Sequence, residues 1–248
     1  MVGTAVDVEG LTVRVSTPSV ATSIGTRLLP TVLSVTAGSV DAIGFLGLGG
    51  LFTAHITGNL VVVAAQLVRG GSATLAAMLS VPVFMVVLGL TRLLSGGFES
   101  IGLSSLRPLL LLEFLLLAGF LVVCVAAGPR IDPNAARAVV AGMLSISAMA
   151  VQNALVQISL RGAPSTTAMT NNITRFTMDV GEMLIGREPD GVESARRRAQ
   201  HTWPTIVGFS VGCSLGAVCD AVIGLWSLAL PAGLALLAVA IGFMPTDR

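Results

Sequence analysis

Apolar positions run along this chain in long uninterrupted blocks rather than in the short clusters of a half-buried soluble helix. The blocks cover 28–48, 51–68, 74–94, 109–127, 138–160, 206–223 and 226–244, and a more polar stretch at 166–184 breaks the series. A helix crossing a bilayer needs about 20 mostly apolar residues, so six of the eight segments predict spanning helices. The other two do not fit. The block at 51–68 is short and opens with Thr53, His55, Thr57 and Asn59, while 166–184 carries Asn171, Asn172, Arg175, Asp179 and Glu182. An Arg or Asp at a helix centre in lipid costs about 2.5–3.5 kcal/mol. The second segment is therefore expected outside the bilayer, as a surface amphipathic helix, or enclosed by the other helices around water.

An internal repeat favours enclosure. With an offset of 113, Thr53 meets Thr166, Thr57 meets Thr170, Asn59 meets Asn172, Leu60 meets Ile173 and Gln66 meets Asp179. With an offset of 111, Val40-Asp41-Ala42 meets Val151-Gln152-Asn153. Each half (about 28–127 and 138–245) reads as one long span, a break, a Thr-x-Asn element and two more spans. Corresponding interrupted segments in two halves point to a transporter binding site. Thr57, Asn59, Thr170 and Asn172 are residue types that cap helix starts. Helices starting there would aim free N–H groups at a solute.

Composition narrows the classes. Only 11% of residues are charged against 54% hydrophobic, with a mean hydropathy of +0.89; soluble domains carry about 25% charged residues. A net charge of +1 gives no basic footprint for nucleic acid. Residues 1–26 form a mixed polar lead with Asp7, Glu9 and Arg14, expected to be a surface tail ahead of one transmembrane domain at 27–248. Cys124, Cys213 and Cys219 lie in apolar blocks, which suits small buried hydrophobes better than a disulfide framework. Neither His55 nor His201 has ligands at metal spacing, so no metal and no cofactor is expected.

The run Ala37-Gly38-Ser39-Val40-Asp41-Ala42-Ile43-Gly44-Phe45-Leu46, followed by Phe52-Thr53-Ala54-His55-Ile56-Thr57-Gly58-Asn59, resembles the signature of the YoaK family of small bacterial integral membrane proteins. Gln152-Asn153 and Thr170-Asn171-Asn172 are similar to that family's second signature, with Asn171 departing from an expected glycine. The resemblance implies about six spans in a bacterial membrane. It implies no reaction and no substrate.

Several polar residues in apolar surroundings are candidates. Asp41, near the middle of the first span, is either a proton carrier or a partner of broken-helix backbone. His55 titrates near neutrality and could assist it. Arg175 and Asp179 stand four apart and are expected to pair, Arg175 meeting an anionic group and Asp179 exchanging protons. Gln152 and Asn153 give the fifth long run a polar face. Glu113, five residues after Pro108, is expected at an interface. Gly208, Gly212, Gly216, Asp220 and Gly224 form a small-residue stripe, expected to be a seam within the chain or the face of a homodimer.

Topology has two solutions. If the Thr-x-Asn elements cross fully, there are eight spans and parallel repeats; if they re-enter, there are six spans and inverted repeats. Flanking arginines do not separate them: one leaves Arg92, Arg107 and Arg161 outside, the other Arg69, Arg130 and Arg137. The polar second element favours six spans plus two broken half-helices. Arginines at 187 and 196–198 place that loop, and with it both termini, in the cytoplasm of a bacterial inner-membrane protein. The function expected is a transporter or channel for a small polar or anionic solute, with proton coupling through Asp41, His55 and Asp179. The solute would sit near Thr57, Asn59, Gln152, Asn153, Thr170, Asn172 and Arg175. Two other classes stay open: an enzyme acting on a lipid-like substrate, for which HExxH, GxSxG, DDxxD and P-loop patterns are missing, and a non-catalytic membrane scaffold.

Overall fold

A computed structural model describes residues 24–70, 74–128, 132–186 and 188–244; the expected tail therefore lies outside the described residues except for its last three, which already belong to the first helix. The helices are α1 (Ile24–Gly47), α2 (Ile56–Val68), α3 (Leu75–Ser100), α4 (Leu106–Ala127), α5 (Ala136–Ser159), α6 (Met169–Ile185), α7 (Pro189–Ile223) and α8 (Ala229–Phe243), with a 3-10 turn at Gly224–Leu228 between the last two. Five stretches are long and apolar enough to cross a membrane, the last of them containing both α7 and α8. The chain is thus a helical polytopic membrane protein with five long apolar helical stretches and two shorter elements, α2 and α6.

Side-chain packing fixes the direction of each helix. One buried cluster joins Leu29 and Leu33 of α1 to Leu109 and Leu110 of α4 and to Val151, Leu155 and Leu160. The other joins Val40 and Ile43 to Phe120 and Cys124 of α4 and to Ala138, Ala141 and Ile146 of α5. The start of α1 therefore meets the end of α5, and the end of α1 meets the start of α5. These two helices run antiparallel, and the repeats are inverted. Leu51, just past α1, lies against Gly142 of α5, whose other neighbour is Ala76 in the first turn of α3. So α3 starts at the end where α1 finished, and α2 leaves on the side from which it came. Its 13 residues rise about 20 Å, too short for a crossing.

The halves interlock. The first helix of each half packs on the third and fourth helices of the other: α1 on α7 and α8, α5 on α3 and α4. The α1–α7 contact is a glycine seam. Gly208 lies against Thr31, Gly212 against Val35 and Gly216 against Ser39, while Gly38 faces the backbone of Phe209 and Cys213. This ascending match makes α1 and α7 parallel. Of the two readings of the stripe, the structure shows the seam within the chain: the face formed by Gly208, Gly212 and Gly216 is occupied by α1. The stripe does not bury Asp220, which is only half-buried.

The inverted arrangement holds, but for a different reason from the one its polar element offered. That element, α6, is not enclosed: only Met169, Asn172 and Asp179 are buried. These fall on one stripe that faces α7, with Asn172 bonded to Thr205 and Asp179 to Arg198. Gly208, seated on α1, is the twentieth residue of α7, whereas Ala76, seated on α5, is only the second of α3. The extra turns of α7 give α6 a surface beyond the bundle. An amphipathic helix there has one dry face and one wet face, so its charges need no cavity.

Candidate functional site

The first break is built on Asp41. Gly49 and Gly50, with φ of 69° and 87°, adopt a left-handed backbone that glycine takes without steric cost, and they turn the chain back towards α1. Three consecutive backbone N–H groups then meet one carboxylate oxygen: Thr53 and Ala54 donate to Asp41 Oδ1 at 2.7 and 2.8 Å, and His55 at 3.4 Å. The Thr53 hydroxyl adds a bond of 3.3 Å to the same oxygen. The second oxygen, Oδ2, stands 2.7 Å from His55 Nδ1. Both oxygens of Asp41 are thereby engaged, and the N–H groups expected to attract an anionic solute are already occupied by a side chain of the protein.

His55 lies outside the spanning helices and is half-buried. The hydrogen bond to Asp41 raises its pKa above 6.5 most strongly; burial opposes this, and the nearby negative charge adds to it. Its ring packs edge-on against Phe209 of α7, with 5.3 Å between centroids. With Nδ1 committed to Asp41, Nε2 is the nitrogen able to exchange a proton.

The second break repeats the frame with neutral parts. Gln152 takes the place of Asp41 and donates to the Thr166 hydroxyl at 2.7 Å and to the Leu33 carbonyl of α1 at 3.0 Å. Asn153 accepts from the Thr167 hydroxyl at 2.8 Å. The asparagines are strictly matched: Asn59 donates to the carbonyl of Phe52, and Asn172 to that of Ser165, each seven residues back. Asn59 also accepts from Phe52 N–H at 2.9 Å. In the second copy the Ser165 hydroxyl accepts from the N–H groups of Thr167 and Ala168. The residue matching His55 at the offset of 113 is Ala168. Only the first break therefore holds an acid–base pair.

Several expected site residues stand elsewhere. The helices begin at Ile56 and Met169, and their N-caps are His55 and Ala168, neither with a side-chain capping bond. Thr57 and Thr170 fall one residue inside and are exposed; Asn59 and Asn172 are buried and clasp the preceding loop. The two Thr-x-Asn motifs do not converge, because α2 packs mainly on α3 and α6 on α7. Arg175 is exposed and is not the partner of Asp179. Arg198 of α7 holds that carboxylate at 2.7 Å instead, since a packed neighbouring helix delivers its guanidinium more directly than a flexible residue on the same helix. Glu113 is fully buried rather than interfacial.

A cleft of about 690 Å³ opens at the second-break end, lined by Pro30 and Thr31 of α1, the turn 159–164, and Arg197, Gln200, His201, Pro204 and Thr205 of α7. Sequence spacing held a signal for it: 197, 201 and 205 form one helical stripe. Arg161 and Arg197 lie at its rim, both exposed, and Arg197 is paired with Glu193 at 3.1 Å. Among the described residues, no group of three or more His, Cys, Asp or Glu could hold a metal ion.

A family model described as "Protein of unknown function (DUF1275)" matches residues 29–241, from the first turns of α1 to the last of α8. The chain belongs to this DUF1275 family. No curated protein and no solved structure matched it. The DUF1275 match spans both interlocked halves together, as their packing requires.

Proposed function

We propose that this DUF1275 protein is a secondary transporter, YoaK-like in kind, that moves a small polar or anionic solute across a bacterial inner membrane with proton coupling. The observation that carries the reading is the pair of helix breaks at inverted, equivalent positions, each clasped by the helix before it, Thr53 by Asp41 and Thr166 by Gln152. Irregular backbone in a membrane protein persists where it lines a cavity or is buried in protein, and inverted repeats around such breaks allow one half to rock against the other. Solute enters the cleft beside the second break, where the guanidinium groups of Arg161 and Arg197 and the imidazole of His201 supply hydrogen-bonding groups. The first break is the coupling element: its nest of N–H groups binds the protein's own Asp41, and His55 Nε2 exchanges the proton.

Orientation follows the same logic. Among the described residues, Arg107, Arg161, Arg196, Arg197 and Arg198 lie at the second-break end, against Arg69 and Arg137 at the first. An excess of arginine marks the cytoplasmic side, and this supports a cleft that faces the cytoplasm.

The Asp41–His55 pair also has the look of an enzymatic dyad. Yet the adjacent hydroxyl, on Thr53, is bound to Asp41 and not to the imidazole, so the pair suits proton exchange better than activation of a nucleophile. Uptake into proteoliposomes under an imposed proton gradient tests the reading. Solute accumulation that Asp41→Asn abolishes supports it; accumulation unchanged by that substitution removes the coupling role.

A further inference from the structure

Glu113 is the one carboxyl among the described residues whose two oxygens are both buried without a hydrogen-bond partner, and its residue exposure is 0%. It sits in α4, which packs on α5, on α8 and on the 3-10 turn. Neither α8 nor the turn contains a titratable residue, and the only one in α5 is Arg137, in its first turn at the opposite end. A carboxylate in that position would have neither counter-charge nor donor, and isolated buried charges are avoided by neutralisation.

Its height in the bundle is set by one contact between α4 and α5. The Ser105 and Ser159 hydroxyls meet at 3.1 Å, and from there Glu113 along α4 and Gln152 along α5 are each about 10 Å inward. Gln152 anchors the second break, and its Oε1 is also buried without a partner. Unpaired ionisable groups inside a membrane domain mark proton and ion pathways.

We infer that Glu113 is a second protonation site: a carboxylic acid in the packed bundle, level with the anchor of the second break, that gives its proton to water and becomes a carboxylate when α4 and α5 separate, and regains a proton on closure. This extends the transport reading by placing an exchangeable proton near the second end, as His55 places one near the first. The role of Asp41 differs, because its oxygens are fully engaged.

The test is infrared difference spectroscopy on the purified full chain in lipid nanodiscs at pH 7, comparing it with Glu113→Gln. The expected result is a carbonyl band of an un-ionised carboxylic acid that disappears in Glu113→Gln and shifts down in D₂O within the time the bundle takes to open. Absence of the band means an ionised group and overturns the inference, as does a band that never exchanges. If Glu113→Gln does not fold, Glu113→Met serves in the same comparison, since replacing a buried polar group by an apolar one of like volume is well tolerated. The spectrum needs no solute, so loss of this inference leaves the uptake assay standing, and failure of uptake leaves the band.

Discussion

Gly212 of α7 rests on the backbone of Val35 in α1 so closely that a Cβ would collide with the Val35 carbonyl oxygen. Because the obstacle is backbone in a packed helix, it cannot swing aside as a side chain would. Gly212→Ala should lower stability by about 3 kcal/mol, at the upper end of overpacking penalties. Gly233→Ala, where a Cβ meets nothing within 4 Å, should change it little. Thermal unfolding in detergent compares the two.

The pH dependence of stability should carry the mark of His55. Its pKa is raised above 6.5 by the bond to Asp41, so the folded state binds the proton more tightly than the unfolded chain does. The stabilisation is complete below about 6.5 and disappears as pH rises through the raised value. A midpoint followed from pH 5 to 9 should therefore fall on the alkaline side, and His55→Gln should flatten that fall. Equal slopes in both proteins would contradict the pairing.

The asparagines and threonines of the repeated motif should separate cleanly. Asn59→Ala strips partners from the N–H and the C=O of Phe52 and should cost about 2–4 kcal/mol, from two broken and partly buried bonds. Thr57→Ala removes an exposed hydroxyl and should stay within about 0.5 kcal/mol. Chemical or thermal denaturation of the two variants gives the ordering.

Arg198→Ala should free the α6–α7 hairpin, because Asp179 is buried and loses its counter-charge. Limited proteolysis should then cut near residues 185–188 faster than in the parent protein. Arg175→Ala should leave the cleavage rate unchanged, since Arg175 is exposed.

The spanning helices and the repeat were legible because both are written in patterns: apolar block length, and Thr and Asn recurring at fixed offsets. Asp41 and Gln152 were legible as anchors for the same reason. The direction of α5 was not, since arginine counts balanced and direction resides in packing, as in Leu51 against Gly142. Asp179 was misassigned to Arg175 because spacing along one helix says nothing about what a neighbouring helix brings. The cleft by His201 was missed because its walls come from three separate segments. Glu113 looked interfacial from Pro108, and the packing of α5, α8 and the 3-10 turn around α4, which spacing along one helix does not carry, leaves it buried.

The interlocking of the halves also sets an order of events at the ribosome. The surface of α1 that carries Thr31, Val35 and Ser39 finds its glycine-lined partner only when α7 has been made, about 170 residues later. At about 5–20 residues per second, α1 waits on the order of ten to thirty seconds with its polar side uncovered. During that interval Asp41 can already be clasped by Thr53, Ala54 and His55, which follow within a few residues. The first break thus covers the polar side chain of its own helix while the nascent chain is still half made.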